Sequence, residues 1–88
     1  MTSEQLEELK ISFREYVKAF YGVSEYDDAN IRLKDDHSRC VCEEILYLCD
    51  ELGLDDSRRR LAEAIALLHD IGRFQQWRQY KTYKGVSP

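Results

Sequence analysis

Two histidines and one aspartate have the types and positions that favour metal chemistry. His37 and His69 are the only histidines of the chain, and both stand where a helical pattern expects apolar side chains. Asp70 follows His69 directly, at the end of a hydrophobic segment. A buried carboxylate is costly unless it meets a cation, a strong donor or a metal ion, and imidazole with carboxylate suits a divalent transition metal. The alternative is that each histidine is an ordinary core residue.

The adjacency of His69 and Asp70 requires a particular local structure. Neighbouring positions of a helix point about 100° apart, so the two side chains diverge in the middle of a helix. At a helix end they can converge on an ion beyond the last turn, and Gly72 then lets the chain turn away. We therefore predict that a helix ends at about Asp70 and is closed by Gly72.

Basic residues follow this pair without any acidic residue. Four of them lie between positions 73 and 88: Arg73, Arg78, Lys81 and Lys84. They form either a solvated tail or a patch that attracts an anionic substrate such as a phosphate. The same stretch contains Trp77, Tyr80 and Tyr83. At three-residue steps, these rings either pack against the protein or stack on a base.

Three segments with apolar residues at steps of three and four predict an all-α fold. The three helices fall at about residues 3–21, 31–52 and 56–70. A polar connector, with or without a short helical turn, occupies residues 23–30. Gly22 and Gly53 stand where helices end in a left-handed residue. We expect a short helix or a loop after the third helix.

The apolar residues also predict which helix faces are buried. On the second helix they form one stripe: Leu33, His37, Val41, Ile45, Leu48 and Leu52. The third helix is apolar around nearly its whole circumference, which is typical of a central, buried helix. We therefore expect the stripe and the whole third helix to lie in the core.

Charge and hydropathy exclude several classes of protein. The 88 residues carry 13 basic and 17 acidic side chains, a net charge of −4, which argues against a binder of nucleic-acid polymers. No apolar run approaches the roughly 18 residues of a transmembrane helix, and the polar start is unlike a signal peptide. We therefore expect no membrane association and a cytoplasmic location. The three cysteines are then expected to be reduced, and their spacing argues against a cysteine-ligated metal.

Two segments resemble the HD-domain superfamily of metal-dependent phosphohydrolases: AEAIALLHDIGRF (62–74) and, upstream, NIRLKDDHSRCV (30–41). The resemblance implies an HD-domain-like helical bundle. It also implies that His37, His69 and Asp70 are three of the four ligands with which that family holds a divalent metal ion.

The family's fourth ligand is an aspartate on a later helix, and residues 71–88 contain no Asp, Glu or His. We therefore expect residues 1–88 to be a single, incomplete HD domain that corresponds to the N-terminal part of the family's fold. With three protein ligands, we expect weak metal binding and little hydrolase activity.

The resemblance implies hydrolysis of a nucleotide or another phosphomonoester, with a transition metal or Mg²⁺ as cofactor. Asp70 would be catalytic, because it would both bind the ion and orient the attacking water. Arg73 would contact the substrate phosphate through its forked guanidinium, and Arg78 and Lys81 are weaker candidates for the same contact. Alternatively, Arg73 is only a cation at the end of a helix dipole.

A non-catalytic role is the alternative function. A three-helix piece of a larger domain leaves an apolar face uncovered, and such faces drive association. The chain would then be a helical interaction module that forms homo-oligomers, in which a second copy covers the open face.

Overall fold

Four α-helices make up most of the described part of the chain. The computed structural model describes residues 1–84. Its helices are α1 (Ser3–Lys18), α2 (Glu25–Glu51), α3 (Asp56–Leu68) and α4 (Gly72–Tyr80). Residues 1–84 contain no strand, so the all-α prediction is confirmed. Within this range no helix combines the length and the apolar character needed to cross a bilayer.

Residues at the helix ends provide the partners and turns that the ends require. Thr2 caps α1 in a capping box, as its spacing from Gln5 predicts. Asp55 caps α3 by accepting a hydrogen bond from a backbone N–H of the first turn. Gly22 and Gly53 have φ angles of 97° and 67°, the left-handed conformation that glycine adopts without strain. These boundaries therefore follow from local residues.

The second helix begins at Glu25 rather than at about Ile31. The hydroxyl of Ser24 accepts a hydrogen bond from the backbone N–H of Asp27 at 3.0 Å, and this cap starts the helix inside the predicted connector. Three acidic residues in the first turn suit the positive end of the helix dipole. The prediction of a connector over 23–30 is therefore wrong from Glu25 onwards, because capping and charge start a helix that apolar periodicity does not reveal.

The third helix ends at Leu68, and Gly72 begins a new helix instead of closing the old one. The residues between them form a tight turn, in which the N–H of Ile71 donates to the carbonyl of Leu68 at 3.2 Å. The predicted role of Gly72 is therefore wrong, and the stretch predicted as a short helix or loop is α4. Phe74 and Trp77 explain its position, because both are buried and anchor α4 to the rest of the chain.

Aromatic rings from α1 and α4 meet at the centre of the core. Phe74 is fully buried, and its ring centroid lies 6.0 Å from those of Phe13 and Phe20. Ile31 of α2 and Leu67 of α3 complete the same cluster. All four helices therefore contribute side chains to one core.

The buried face of α2 is not the predicted one. Its buried residues are Asp27, Ile31, Ser38 and Cys49. Four members of the predicted stripe are exposed instead: Leu33, His37, Leu48 and Leu52. On α3, Leu61 and Ile65 are also exposed. The predictions that the stripe and the whole of α3 are buried are therefore wrong, because α2 and α3 each carry a second apolar face that no other described helix covers.

Asp27 joins the start of α2 to the end of α4. Its Oδ1 accepts hydrogen bonds from Trp77 Nε1 at 2.9 Å and from Lys81 Nζ at 2.7 Å. Its Oδ2 accepts one from the Ser24 hydroxyl at 2.9 Å. These donors, the Lys81 ammonium first, hold the pKa of Asp27 below its ordinary value. The carboxylate is therefore buried with its charge fully partnered, as a buried charge requires.

We predict that Asp27→Asn destabilises the fold less at acid pH than at neutral pH. The pKa of Asp27 is lowered in the folded state, so its stabilising contribution is present above the unfolded pKa of about 3.9 and is lost as the pH falls through the folded value. Urea unfolding at pH 7 and pH 3, followed by the fluorescence of the single tryptophan, measures the difference. Glu25→Gln, an exposed acid in the same turn, is the control. An equal cost of Asp27→Asn at both pH values would contradict the role of the charge.

We predict that Ser38→Ala raises the free energy of unfolding. The Ser38 side chain is fully buried, and its hydroxyl has no hydrogen-bond partner among residues 1–84. Removing an unpartnered hydroxyl and improving helix propensity should together stabilise the fold by about 1 kcal/mol. Ser12→Ala, at an exposed position of α1, measures the propensity effect alone in the same urea titration. A loss of stability in Ser38→Ala would show that the hydroxyl has a partner.

Candidate metal centre

Two helices bring the three predicted ligands together. His37 lies in the middle of α2, while His69 and Asp70 lie in the turn that follows α3. One potential ligand atom from each of the three residues lies within 4.8 Å of the others. The cluster is half open, since the side chains of His37 and Asp70 are 47% and 18% exposed. Adjacent residues within a helix point about 100° apart. His69 and Asp70 can nevertheless converge, because both stand past Leu68, the last residue of α3.

Two of the three separations in the cluster are close to those of ligands around one ion. His69 Nε2 lies 3.3 Å and His37 Nε2 lies 3.6 Å from the same oxygen, Asp70 Oδ2. Two ligand atoms about 2.1 Å from a tetrahedral ion lie roughly 3.4 Å apart. The distances therefore leave room for an ion between the carboxylate and the two rings.

The hydrogen bonding of His69 fixes which of its nitrogens faces the cluster. Its Nδ1 lies at the carbonyl oxygen of Ala66, which can only accept, so Nδ1 carries the proton. In the neutral ring Nε2 then carries a lone pair, and it faces the lone pairs of Asp70 Oδ2. Either a proton on Nε2 or a bound cation can bridge these two atoms. A carbonyl on the second nitrogen is also the usual way in which proteins orient a metal-binding histidine.

Asp70 divides its two oxygens between the histidines and an arginine. Oδ2 faces both rings, and Oδ1 lies 3.5 Å from Arg73 Nε. Arg73 is held in turn by its Nη1, which donates to Gln76 Oε1 at 2.7 Å and to the carbonyl of Tyr83 at 3.2 Å. Neither Gln76 nor Tyr83 was predicted from the sequence to support the cluster. The three-residue step from Arg73 to Gln76 would have allowed their contact on a helix to be predicted. The contact with Tyr83 uses its backbone carbonyl, so no residue type in the sequence indicates it.

The other predicted phosphate ligands lie in structural contacts away from the cluster. Arg78 donates to the carbonyl of Ala19 at 2.7 Å, and its guanidinium lies 4.1 Å from the ring centroid of Phe20. Lys81 binds Asp27, as described above. Of the three basic residues proposed from the sequence, the structure therefore brings only Arg73 to the His37, His69 and Asp70 cluster.

Two of the aromatic residues near the C-terminus pack against each other. Trp77 is buried, and the Tyr83 ring lies 5.1 Å from it, while Tyr80 is half exposed. The Tyr83 hydroxyl donates to the carbonyl of Asn30, and burial raises the pKa of Tyr83 to about 12. Of the two alternatives, packing and base stacking, packing therefore accounts for the positions of the Trp77 and Tyr83 rings.

A separate cleft of about 520 Å³ lies between α1 and α2, and it contains no residue of the cluster. Phe13, Leu46 and Leu67 form its apolar part, and the Lys10–Glu63 ion pair, at 2.6 Å, closes one side. The cluster and this cleft are therefore different places. The cluster is a surface site at the junction of α2, α3 and α4.

A scan of protein-family models, a search of curated proteins and a search of solved structures each found no match to this chain. The link to the HD-domain superfamily therefore depends on the quoted segments and stays a prediction.

We predict that the chain binds Co²⁺ through this cluster. Removing one of three ligands by His69→Ala or Asp70→Asn should weaken binding by at least about tenfold, as measured by isothermal titration under reducing conditions. Asp36→Asn is the matched control, because Asp36 adjoins His37 but lies outside the cluster. Unchanged affinity in His69→Ala would place the ion elsewhere, for instance on the cysteines.

Proposed function

We propose that this chain is a metal-dependent phosphohydrolase of the HD type, with its centre at His37, His69 and Asp70. The single observation that supports it is the convergence of these three ligand atoms within 4.8 Å, from two segments of the chain that are far apart in the sequence. The set is two imidazoles and a carboxylate, which suits a divalent transition metal. The quoted resemblance connects the same three residues with phosphoester chemistry.

The chemistry that the ion supplies when bound is a lowered pKa of water and polarisation of a phosphoryl oxygen. The residues provide the rest. His69 is oriented by the Ala66 carbonyl so that Nε2 faces the centre. Asp70 is oriented by Arg73, which engages Oδ1 and leaves Oδ2 toward the rings. The carboxylate is then placed to accept a hydrogen bond from the attacking water.

Arg73 is the candidate for binding the substrate phosphate. It lies beside the cluster, and its contacts with Asp70, Gln76 and Tyr83 use Nε and Nη1. A guanidinium in this position neutralises negative charge on a phosphoryl group next to the carboxylate, and charge neutralisation is the main requirement of phosphoryl transfer. A phosphomonoester or a nucleotide is therefore the proposed substrate class.

We predict slow, metal-dependent hydrolysis of p-nitrophenyl phosphate and of nucleoside monophosphates, with turnover limited by the three-ligand set. Asp70→Asn should abolish the metal-dependent part, because it removes both a ligand and the water contact. Arg73→Lys should raise KM several-fold, because one ammonium cannot replace both the guanidinium contacts with Asp70 and Gln76 and the contact with the phosphate. Phosphate release over a range of substrate concentrations measures both parameters.

Arg14→Lys is the matched control, since Arg14 is an exposed arginine that lines the other cleft. Equal phosphate release by the metal-loaded wild type and by metal-loaded Asp70→Asn would refute the proposed activity. Metal binding without turnover would support the proposed metal centre and contradict the proposed hydrolase activity.

A further inference from the structure

A short segment after α4, residues 81–84, joins the start of α2 to the metal cluster, and we call it the strap. Tyr83 makes both connections. Its hydroxyl donates to the backbone carbonyl of Asn30 on α2. Its own backbone carbonyl accepts a hydrogen bond from Arg73 Nη1 at 3.2 Å. A change in the Tyr83 side chain can therefore reach the metal cluster through Arg73.

The Tyr83 side chain is held on three sides. Besides the hydrogen bond to Asn30, its ring centroid lies 5.1 Å from that of Trp77. The ammonium of Lys34 lies 5.0 Å from the same centroid, within the range of a cation–π contact. Trp77 is buried and donates to Asp27, so the ring rests on a fixed part of the core. These contacts together fix where the Tyr83 backbone lies.

The strap provides acceptors for two side chains of α4. Arg73 Nη1 donates to the Tyr83 carbonyl and, at 2.7 Å, to Gln76 Oε1. Gln76 Nε2 donates in turn to the carbonyl of Lys84 at 2.6 Å. Arginine and glutamine side chains have many rotamers, so holding them in one geometry requires such acceptors. The strap therefore supports the guanidinium both directly and through Gln76.

Arg73 determines which oxygen Asp70 offers to the cluster. Its Nε lies 3.5 Å from Asp70 Oδ1, while Oδ2 faces the rings of His37 and His69. Among residues 1–84, no other cation or donor engages Oδ1. If the guanidinium moves away, the carboxylate is free to turn and to bring both oxygens to an ion. Partners that orient a ligand in this way affect both the affinity and the geometry of a metal site.

We propose that Tyr83 is a positioning residue of the metal centre. Through its backbone carbonyl it holds Arg73 beside Asp70, so that the carboxylate presents one oxygen to the ion. The inference rests on the metal centre of the proposed function, but it does not require hydrolysis, because it concerns only how the ion is bound. It also assigns a role to the Tyr83 hydroxyl, which lies at Asn30 and not at the cluster.

The first test is Co²⁺ binding by Tyr83→Phe, which removes the hydroxyl and keeps the ring. Isothermal titration should show binding at least about threefold weaker than in the wild type. The visible absorption of the bound Co²⁺ should also change, because these bands report the number and arrangement of ligands. Tyr83→Gly, which removes every side-chain anchor, should have the larger effect on both measurements. Tyr26→Phe is the matched control, since Tyr26 also packs on Trp77, at 5.8 Å, but is 69% exposed.

The second test is a double-mutant cycle, which separates the proposed route through Arg73 from general loosening of the fold. In an Arg73→Ala background, adding Tyr83→Phe should change neither the Co²⁺ affinity nor the spectrum. An effect of Tyr83→Phe that is equal with and without Arg73 would overturn the proposal. So would an unchanged affinity and spectrum in both Tyr83 variants, although the metal centre itself would then stand. A wild type that binds no Co²⁺ would reject the centre and the positioning role together.

Discussion

The buried carboxylate of Asp27 determines how the last helix is attached to the fold. It accepts hydrogen bonds from the indole of Trp77, near the end of α4, and from the ammonium of Lys81, which follows that helix. Since a buried charge is tolerated only when it is partnered, the start of α2 and the end of α4 must meet. Phe74 anchors the first turn of the same helix, because it is fully buried beside Phe13 and Phe20.

The attachment of α4 also determines the position of the His37, His69 and Asp70 cluster. The tight turn between α3 and α4 contains His69 and Asp70, so the direction in which α4 leaves decides where these side chains point. α4 also supplies Arg73, which engages one oxygen of Asp70 and leaves the other toward the histidines. The cluster is therefore built where three helices join, and its geometry depends on a hydrogen-bond network at the other end of α4.

A second feature is that α2 and α3 have more apolar faces than the other described helices cover. α2 packs through Ile31, Ser38 and Cys49, yet it also carries Leu48 on another side. α3 has the same property at Ile65. A chain of this size buries only a modest fraction of its surface. In α2 and in α3, the neighbouring helices cover one apolar face and leave the other in contact with water.

The all-α class, the capping box of α1 and the left-handed Gly53 could be predicted from the sequence. These features depend on local residues and on one periodic pattern. The sequence also identified His37, His69 and Asp70 as a group, because their chemical types stand out on apolar faces. The use that the chain makes of this group remains a proposal.

The buried face of α2 and the positions of Arg78 and Lys81 could not be predicted from the sequence, because they depend on how the helices pack. Two apolar faces of one helix have similar periodicity, so the choice between them depends on the neighbouring helices. Arg78 and Lys81 have partners at Ala19 and Asp27, more than fifty residues away in the chain. The distances within the metal cluster likewise join positions 37 and 70. Such long-range contacts depend on how the helices pack, which local sequence does not encode.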